Sequence, residues 1–314
     1  MATALEPEAT PRGDVAPRAE RRPAQTRARY PDAVGVVERD GGRIAWEAYG
    51  HGEPPIVFVP PWQIVHSRVY KAQIPDFARR HRVIAWDNRG NGRSDRPLDP
   101  EAHRDVNRAA NLRAVMDATG IAAAVLVGLS SAARPMIIFA AEHPDRVLGL
   151  AFICPATPFG EQGLRADIPF EEPLDDEVGW NKENIHYWRR DFVGYLRHFF
   201  AEAYPEPHST KQHEDAVGYG LDTDPESLAA TVRADVLPEE RIADMCASIR
   251  VPTLVIQGTN DRITHVSHGQ ALAARIRGAR LELIAGAGHI ANGRDPIRTN
   301  LLLRRFIRSL GAPG

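Results

Sequence analysis

The run Val125-Leu126-Val127-Gly128-Leu129-Ser130-Ser131-Ala132-Ala133 narrows what this chain can fold into more than any other stretch. It reads as an apolar strand that passes through a small-residue turn into a helix, the unit from which a parallel sheet flanked by helices is built. Ser130 stands in that turn, in the sequence form of a nucleophile elbow. A serine hydroxyl is a poor nucleophile at neutral pH, so the chemistry needs it held out of a sharp turn beside a histidine base and backbone N–H donors. Gly128 and Ala132 are small enough to let strand and helix approach. The usual pattern, G-x-S-x-G, ends in glycine where this chain has Ala132, so the pentapeptide alone also reads as an ordinary strand-to-helix turn with Ser130 as N-cap.

The residues downstream bear on that ambiguity. Val251-Pro252-Thr253-Leu254-Val255-Ile256-Gln257-Gly258 reads as a buried parallel strand, and Thr259-Asn260-Asp261 sets a carboxylate at its C-terminal edge. Leu281-Glu282-Leu283-Ile284 is a further short strand, followed by the glycine-rich loop Ala285-Gly286-Ala287-Gly288-His289-Ile290. Singly, the aspartate reads as a turn residue bonding its own backbone and the histidine as an exposed loop residue. Jointly, each lies behind a strand in the order Ser, Asp, His, and catalytic groups in open α/β sheets gather at the C-terminal ends of strands. On these residues the chain resembles the α/β-hydrolases over about residues 31 to 310. The resemblance implies a mostly parallel twisted sheet with helices on both faces and an inserted helical cap. It also implies a catalytic triad of Ser130, Asp261 and His289 that needs no metal and no organic cofactor.

Further motifs fit the resemblance in part. Asp87-Asn88-Arg89-Gly90-Asn91-Gly92-Arg93-Ser94 is similar to the D-x-R-G-x-G-x-S loop of many such hydrolases, with Asp87 and Arg89 read as loop-fixing. Pro55-Ile56-Val57-Phe58-Val59-Pro60-Pro61-Trp62 occupies the place of a strand followed by His-Gly, but here Pro60-Pro61 stands instead. Proline has no N–H to give, so the first oxyanion donor implied is the backbone of Trp62 and the second that of Ser131. Gln63, His66, Trp188 and Ile290 are candidates to line the substrate pocket. The segments Trp62 to Lys71 and Glu206 to Lys211 also resemble bacterial α/β-hydrolase-like domains found beside regulatory or nucleotide-cyclase modules.

Composition bears on class. With 314 residues, 43% of them apolar, the chain has material for one large core plus an insertion. A net charge of −2 argues against a nucleic-acid or anionic-membrane surface, and no segment is long and apolar enough to span a membrane. No histidines have the H-E-x-x-H spacing or another zinc-ligand arrangement. Two distant cysteines, Cys154 and Cys246, make no disulfide framework and favour a reducing, cytoplasmic location.

Residues 1–30 are rich in Ala, Pro, Arg and Glu without an apolar core, and read as a disordered tail, not a signal peptide. Residues 31–155 then form the first part of the core, opening on a hairpin around Asp40-Gly41-Gly42. Across 156–237 the strand-helix alternation stops and aromatic residues recur at helical spacing, which reads as the cap; 238–314 completes the core, with Asp295, Pro296 and Gly311 marking the last helix. The leading expectation is a serine hydrolase acting on an ester of a small, partly apolar molecule. An acyltransferase or cofactor-free perhydrolase on the same triad, and a binding or regulatory module that has lost turnover, are the alternatives; oligomeric state stays open.

Overall fold

The strand sequences explain the sheet. A run such as Ile56-Val57-Phe58-Val59 has no polar break and is buried along its whole length, and a strand buried on both faces needs helices above and below it. The computed structural model describes residues 28–311, and the tail expected over 1–30 therefore lies, but for its last three residues, outside the described residues. Among the described residues eight strands run β1 (Ala33–Arg39), β2 (Gly42–Tyr49), β3 (Ile56–Val59), β4 (Val83–Trp86), β5 (Ala124–Leu129), β6 (Val147–Ile153), β7 (Thr253–Gly258) and β8 (Arg280–Ile284). Their spatial order is β1-β2-β4-β3-β5-β6-β7-β8. β1 and β2 pair antiparallel, as do β2 and β4, and every pairing from β4 to β8 is parallel. The opening hairpin turns at Asp40 and Gly41, both at positive φ (49° and 69°), the conformation that matches the twist of two short-looped strands.

The helices are α1 (Ile74–Phe77), α2 (Asp105–Ala118), α3 (Ala133–Glu142), α4 (Ile185–Ala203), α5 (Thr210–Gly220), α6 (Pro225–Val232), α7 (Glu239–Ser248), α8 (Val266–Arg275), α9 (Ala291–Arg294) and α10 (Pro296–Ser309). The pleat sorts each strand between two cores. From β5, Val125, Val127 and Leu129 enter one core with Leu303 and Phe306 of α10, while Ala124 and Leu126 enter the other with Leu112 of α2, Ile137 of α3 and Leu272 of α8. The last helix is held as its signals imply: Asp295 accepts from the Arg298 N–H and Pro296 takes the first position.

Between β6 and β7 the chain leaves the sheet. Helices α5 and α6 pack on α4, and α7 returns to pack on α3 and α8. α4 kinks at Asp191 (φ −142°, ψ 72°), whose side chain accepts from the Gly194 N–H at 2.8 Å and so caps the second half of the helix. Its aromatic residues join the core that holds Leu129, Cys154 and Ile290, which lays α4 over the end of the sheet where β5 and β6 finish.

Candidate active site

β5 ends at Leu129, and Ser130 follows it with φ 56°, the left-handed region that a serine adopts only under constraint. Such a residue costs on the order of 1–2 kcal/mol and recurs at functional turns. The constraint is steric. A Cβ on Gly128 would lie 2.3 Å from Met136 Sδ and 2.8 Å from Ala132 Cβ, so a hydrogen at 128 is what lets α3 start this close to the strand. Tyr70 ties the neighbouring strand ends together: its hydroxyl accepts from the Leu129 N–H at 2.8 Å and donates to the Val59 carbonyl at 2.7 Å.

Asp261 follows β7, and its carboxylate is saturated. Oδ1 accepts the N–H groups of Ile263 and Thr264, both at 2.9 Å. Oδ2 accepts from Thr264 Oγ at 2.9 Å, Gln257 Nε2 at 3.1 Å and His289 Nδ1 at 2.9 Å. Burial alone would raise this carboxyl, but the charge and hydrogen bond of His289, with the two backbone N–H groups, outweigh it and hold it below the usual carboxylate range. A carboxylate on Nδ1 places the imidazole proton there and leaves Nε2 as the basic nitrogen. His289 is anchored by its own backbone, which donates to the Ala203 carbonyl at the end of α4 at 3.0 Å.

Ser130 and His289 border one cavity of about 390 Å³. Among the described residues no side chain bonds the Ser130 hydroxyl, so Ser130 and His289 share the cavity without a direct hydrogen bond, and Asp261 stands behind the histidine. Trp62, Ser131, Gln63 and Ile290 also line it. The Trp62 indole reaches up to Thr231 of α6, donating from Nε1 to Oγ1 at 2.6 Å. Phe199 and Phe200 of α4 form part of the apolar wall.

Two of the pocket candidates stand elsewhere. His66 is not among the lining residues: its Nε2 lies 3.2 Å from Asp222 Oδ2, its Nδ1 lies 3.8 Å from Asp87 Oδ1, and its ring packs 5.1 Å from that of Tyr219. Trp188 is wholly buried behind Trp62, with ring centroids 4.5 Å from Tyr195 and 5.0 Å from Phe170, so it supports the wall without reaching the cavity. Asp87 does fix its loop, accepting from the Ser67 and Arg93 N–H groups at 3.1 Å each.

Sequence reasoning missed the charged part of the lining. Arg108, Asp105 and Arg134 border the cavity on the core side, and Arg165 and Glu183 on the side of the inserted segment. Arg108 Nη1 donates to Asp105 Oδ1 at 3.0 Å; Arg134 Nε lies 2.9 Å from Oδ2 of the same carboxylate, an ion pair out of line for a hydrogen bond. Arg165 Nη2 donates to Glu183 Oε1 at 2.7 Å and the guanidinium lies 5.3 Å from the centroid of the Trp62 ring. Of these only Arg134 stands within a turn of a motif, just past the Ser130 turn; the others carry no local signal that a surface charge would not also show.

Among the described residues no group of three or more His, Cys, Asp or Glu is arranged to hold a metal ion, and no helix is long and apolar enough to cross a membrane. Both cysteines are buried and unpaired.

A mostly parallel sheet with a strained serine after β5, an aspartate after β7 and a histidine after β8 defines a hydrolase core of the doubly wound kind. The sequence model of the alpha/beta hydrolase fold matches residues 54–296, and the chain belongs to that family. It is 30% identical over 248 residues to the 2-hydroxymuconate semialdehyde hydrolase of Pseudomonas sp. (strain CF600), covering 76% of this chain and 78% of that protein. Among solved structures it is similar to the esterase RhEst1 from Rhodococcus sp. ECU1013 (TM-score 0.73, 25% identity, 88% of this chain and 98% of that one). It is also similar to Est816, described as an N-acyl homoserine lactone degrading enzyme (TM-score 0.70, 28% identity, 87% and 100%). The protein is a hydrolase with esterase neighbours.

Proposed function

We propose that this hydrolase cleaves a carboxylic ester of a small, partly apolar organic molecule, with Ser130 as nucleophile, His289 as base and acid, and Asp261 as the residue that orients the histidine. One observation carries the reading. Within a single cavity of about 390 Å³ stand a serine at positive φ and a buried histidine whose Nδ1 is bound to a carboxylate. In unliganded sites the serine–histidine bond is often long and tightens when substrate binds.

The chemistry then follows from the groups present. Ser130 Oγ attacks the carbonyl carbon as its proton passes to His289 Nε2, and the carbonyl π electrons move to oxygen. The Trp62 and Ser131 N–H groups receive that oxyanion, a contribution of about 3–4 kcal/mol for one donor. Collapse expels the alkoxide, which takes the proton from His289 and leaves Ser130 acylated. Water repeats the cycle: it gives a proton to His289, attacks the acyl carbon, and the released Ser130 alkoxide recovers the proton. Asp261 stays ionised throughout and stabilises the imidazolium.

Helices α4 to α6 act in this reading as a cap. Phe199, Phe200 and Ile290 offer apolar surface, which favours a substrate with a partly apolar acyl or alcohol part. Two buried unpaired thiols fit a cytoplasmic setting.

The test is a fluorophosphonate probe followed by peptide mapping, since the probe mimics the tetrahedral intermediate and needs both an activated serine and oxyanion donors. Labelling on Ser130 that disappears in His289→Ala supports the reading. A folded protein that takes no label overturns it.

A further inference from the structure

Pro60 and Pro61 pose a mechanical problem. Neither has a backbone N–H, so the loop that leads into Trp62 can be tied at these two residues only through its carbonyl oxygens, and buried carbonyls need donors. Arg108, in the first turn of α2 and 5% exposed, supplies them. Its Nη2 donates to the Pro60 carbonyl at 3.3 Å, the Pro61 carbonyl at 3.2 Å and Ser131 Oγ at 3.2 Å, while Nη1 donates to the Ser131 carbonyl at 3.2 Å. Asn88 Nδ2 reaches the same two proline carbonyls at 3.3 Å and 3.0 Å, but makes no bond to Ser131 among the described residues.

From this geometry we infer that Arg108 is a positioning residue that aims the first oxyanion donor, the Trp62 N–H, through the Pro61 carbonyl, and ties that loop to the carbonyl and side chain of Ser131. The Ser131 N–H is oriented separately, since its peptide unit carries the Ser130 carbonyl, which accepts from the Ala156 N–H at 3.0 Å. The inference rests on the reading of Trp62 and Ser131 given above. The Pro61 carbonyl and the Trp62 N–H belong to one planar peptide unit and point in opposite directions when it is trans. Among the described residues the cis peptide bond is Glu53-Pro54, so the Pro61–Trp62 unit is trans. Holding its oxygen against a buried cation therefore fixes the direction of its N–H. A guanidinium suits the task because five donors in a rigid plane can meet several oxygens at once, which a lysine ammonium does not match. Asp105 pairs with the guanidinium, so the clamp is not an isolated cation in the wall, although Arg134 shares the same carboxylate.

The experiment compares an ordinary ester with its thionoester, in which sulfur replaces the carbonyl oxygen, in wild type, Arg108→Met and Arg108→Lys. Sulfur is a poor acceptor for aligned N–H donors, so the oxygen-to-sulfur rate ratio reports on the oxyanion site and not on general stability. The inference expects Arg108→Met to lose about a hundredfold in kcat on the oxygen ester, the scale of one lost donor, with KM nearly unchanged and the ratio falling about tenfold. Arg108→Lys keeps a charge beside Asp105 and should fold even if Arg108→Met does not; it should fall between the two.

Retention of kcat and ratio in folded Arg108→Lys and Arg108→Met overturns the inference, as does a rise in KM alone, which would mark a substrate contact. Wild type that lacks both Ser130 labelling and an oxygen-ester preference overturns the proposed function instead, and the inference falls with it. A wild type with strong labelling and preference, beside variants that match it, removes only the role of Arg108.

Discussion

Replacing Asp261 with asparagine preserves shape while removing one acceptor, and the hydrogen bonds around it dictate how the new amide sits. Ile263 and Thr264 both donate backbone N–H groups to Oδ1 at 2.9 Å, so the amide oxygen keeps that position and the NH₂ takes the place of Oδ2. There it faces His289 Nδ1, 2.9 Å from the present oxygen, and Gln257 Nε2, 3.1 Å from it. The imidazole must now accept at Nδ1, which moves its proton to Nε2 and leaves no base for Ser130. The electrostatic loss is of similar weight: a carboxylate and an imidazolium about 4 Å apart attract by about 4 kcal/mol at an effective dielectric of about 20, close to a thousandfold in rate. With the wrong tautomer added, the expected fall in kcat is about a thousandfold to ten-thousandfold. KM should barely change, because Asp261 does not border the cavity. Steady-state turnover of small esters, normalised to folded protein, gives the rate, and ¹⁵N chemical shifts of the His289 ring give the tautomer. A D261N enzyme within about tenfold of wild type, or one still protonated at Nδ1, would refute the reasoning.

Three further outcomes are expected. Because the Asp261 carboxyl is held below its ordinary value, its contribution to stability is complete above the unfolded value of about 3.9 and is lost as pH falls through the folded one. Urea midpoints of wild type and Asp261→Asn should therefore converge below about pH 4, and a gap that widens there would contradict the sign. Gly128→Ala should cost about 1–3 kcal/mol by pressing on Met136 and Ala132, and adding Ala132→Gly should recover about 1 kcal/mol of it; strictly additive changes would mean the two positions do not share the contact. Trp188→Ala should lower stability by about 3–5 kcal/mol in chemical denaturation, yet leave KM for small esters within about threefold, since the ring stands behind the wall; a large KM rise in a well-folded variant would put it in the cavity instead.

Whatever depends on a few consecutive residues was legible from the chain alone. The hairpin at Asp40-Gly41, β5 running into Ser130, and α10 opening at Asp295-Pro296 are set by turn sterics, by β-branched runs and by capping, all local effects. The apolar run before Asp261 suggests a strand from Val251, yet β7 begins at Thr253, because Pro252 has no N–H for the ladder. The order Ser130, Asp261, His289 was legible too, since each follows a strand and a parallel sheet brings those strand ends to one edge.

Depth and partnership were not. His66 and Trp188 looked like Gln63 and Ile290 on the page, but the first is turned toward Asp87, Asp222 and Tyr219 and the second is sealed among Phe170 and Tyr195. Helical spacing says which residues share a face, not how far that face lies from a cavity. Arg108 is the sharper case. In sequence it is one arginine on a polar-looking helix, and its partners lie 48, 47 and 23 residues away in Pro60, Pro61 and Ser131. The chain by itself determined that Pro60 and Pro61 have no N–H to offer, because that is covalent chemistry. What holds their carbonyls, and therefore where the Trp62 N–H points, was decided only when the sheet placed the ends of β3 and β5 beside the first turn of α2.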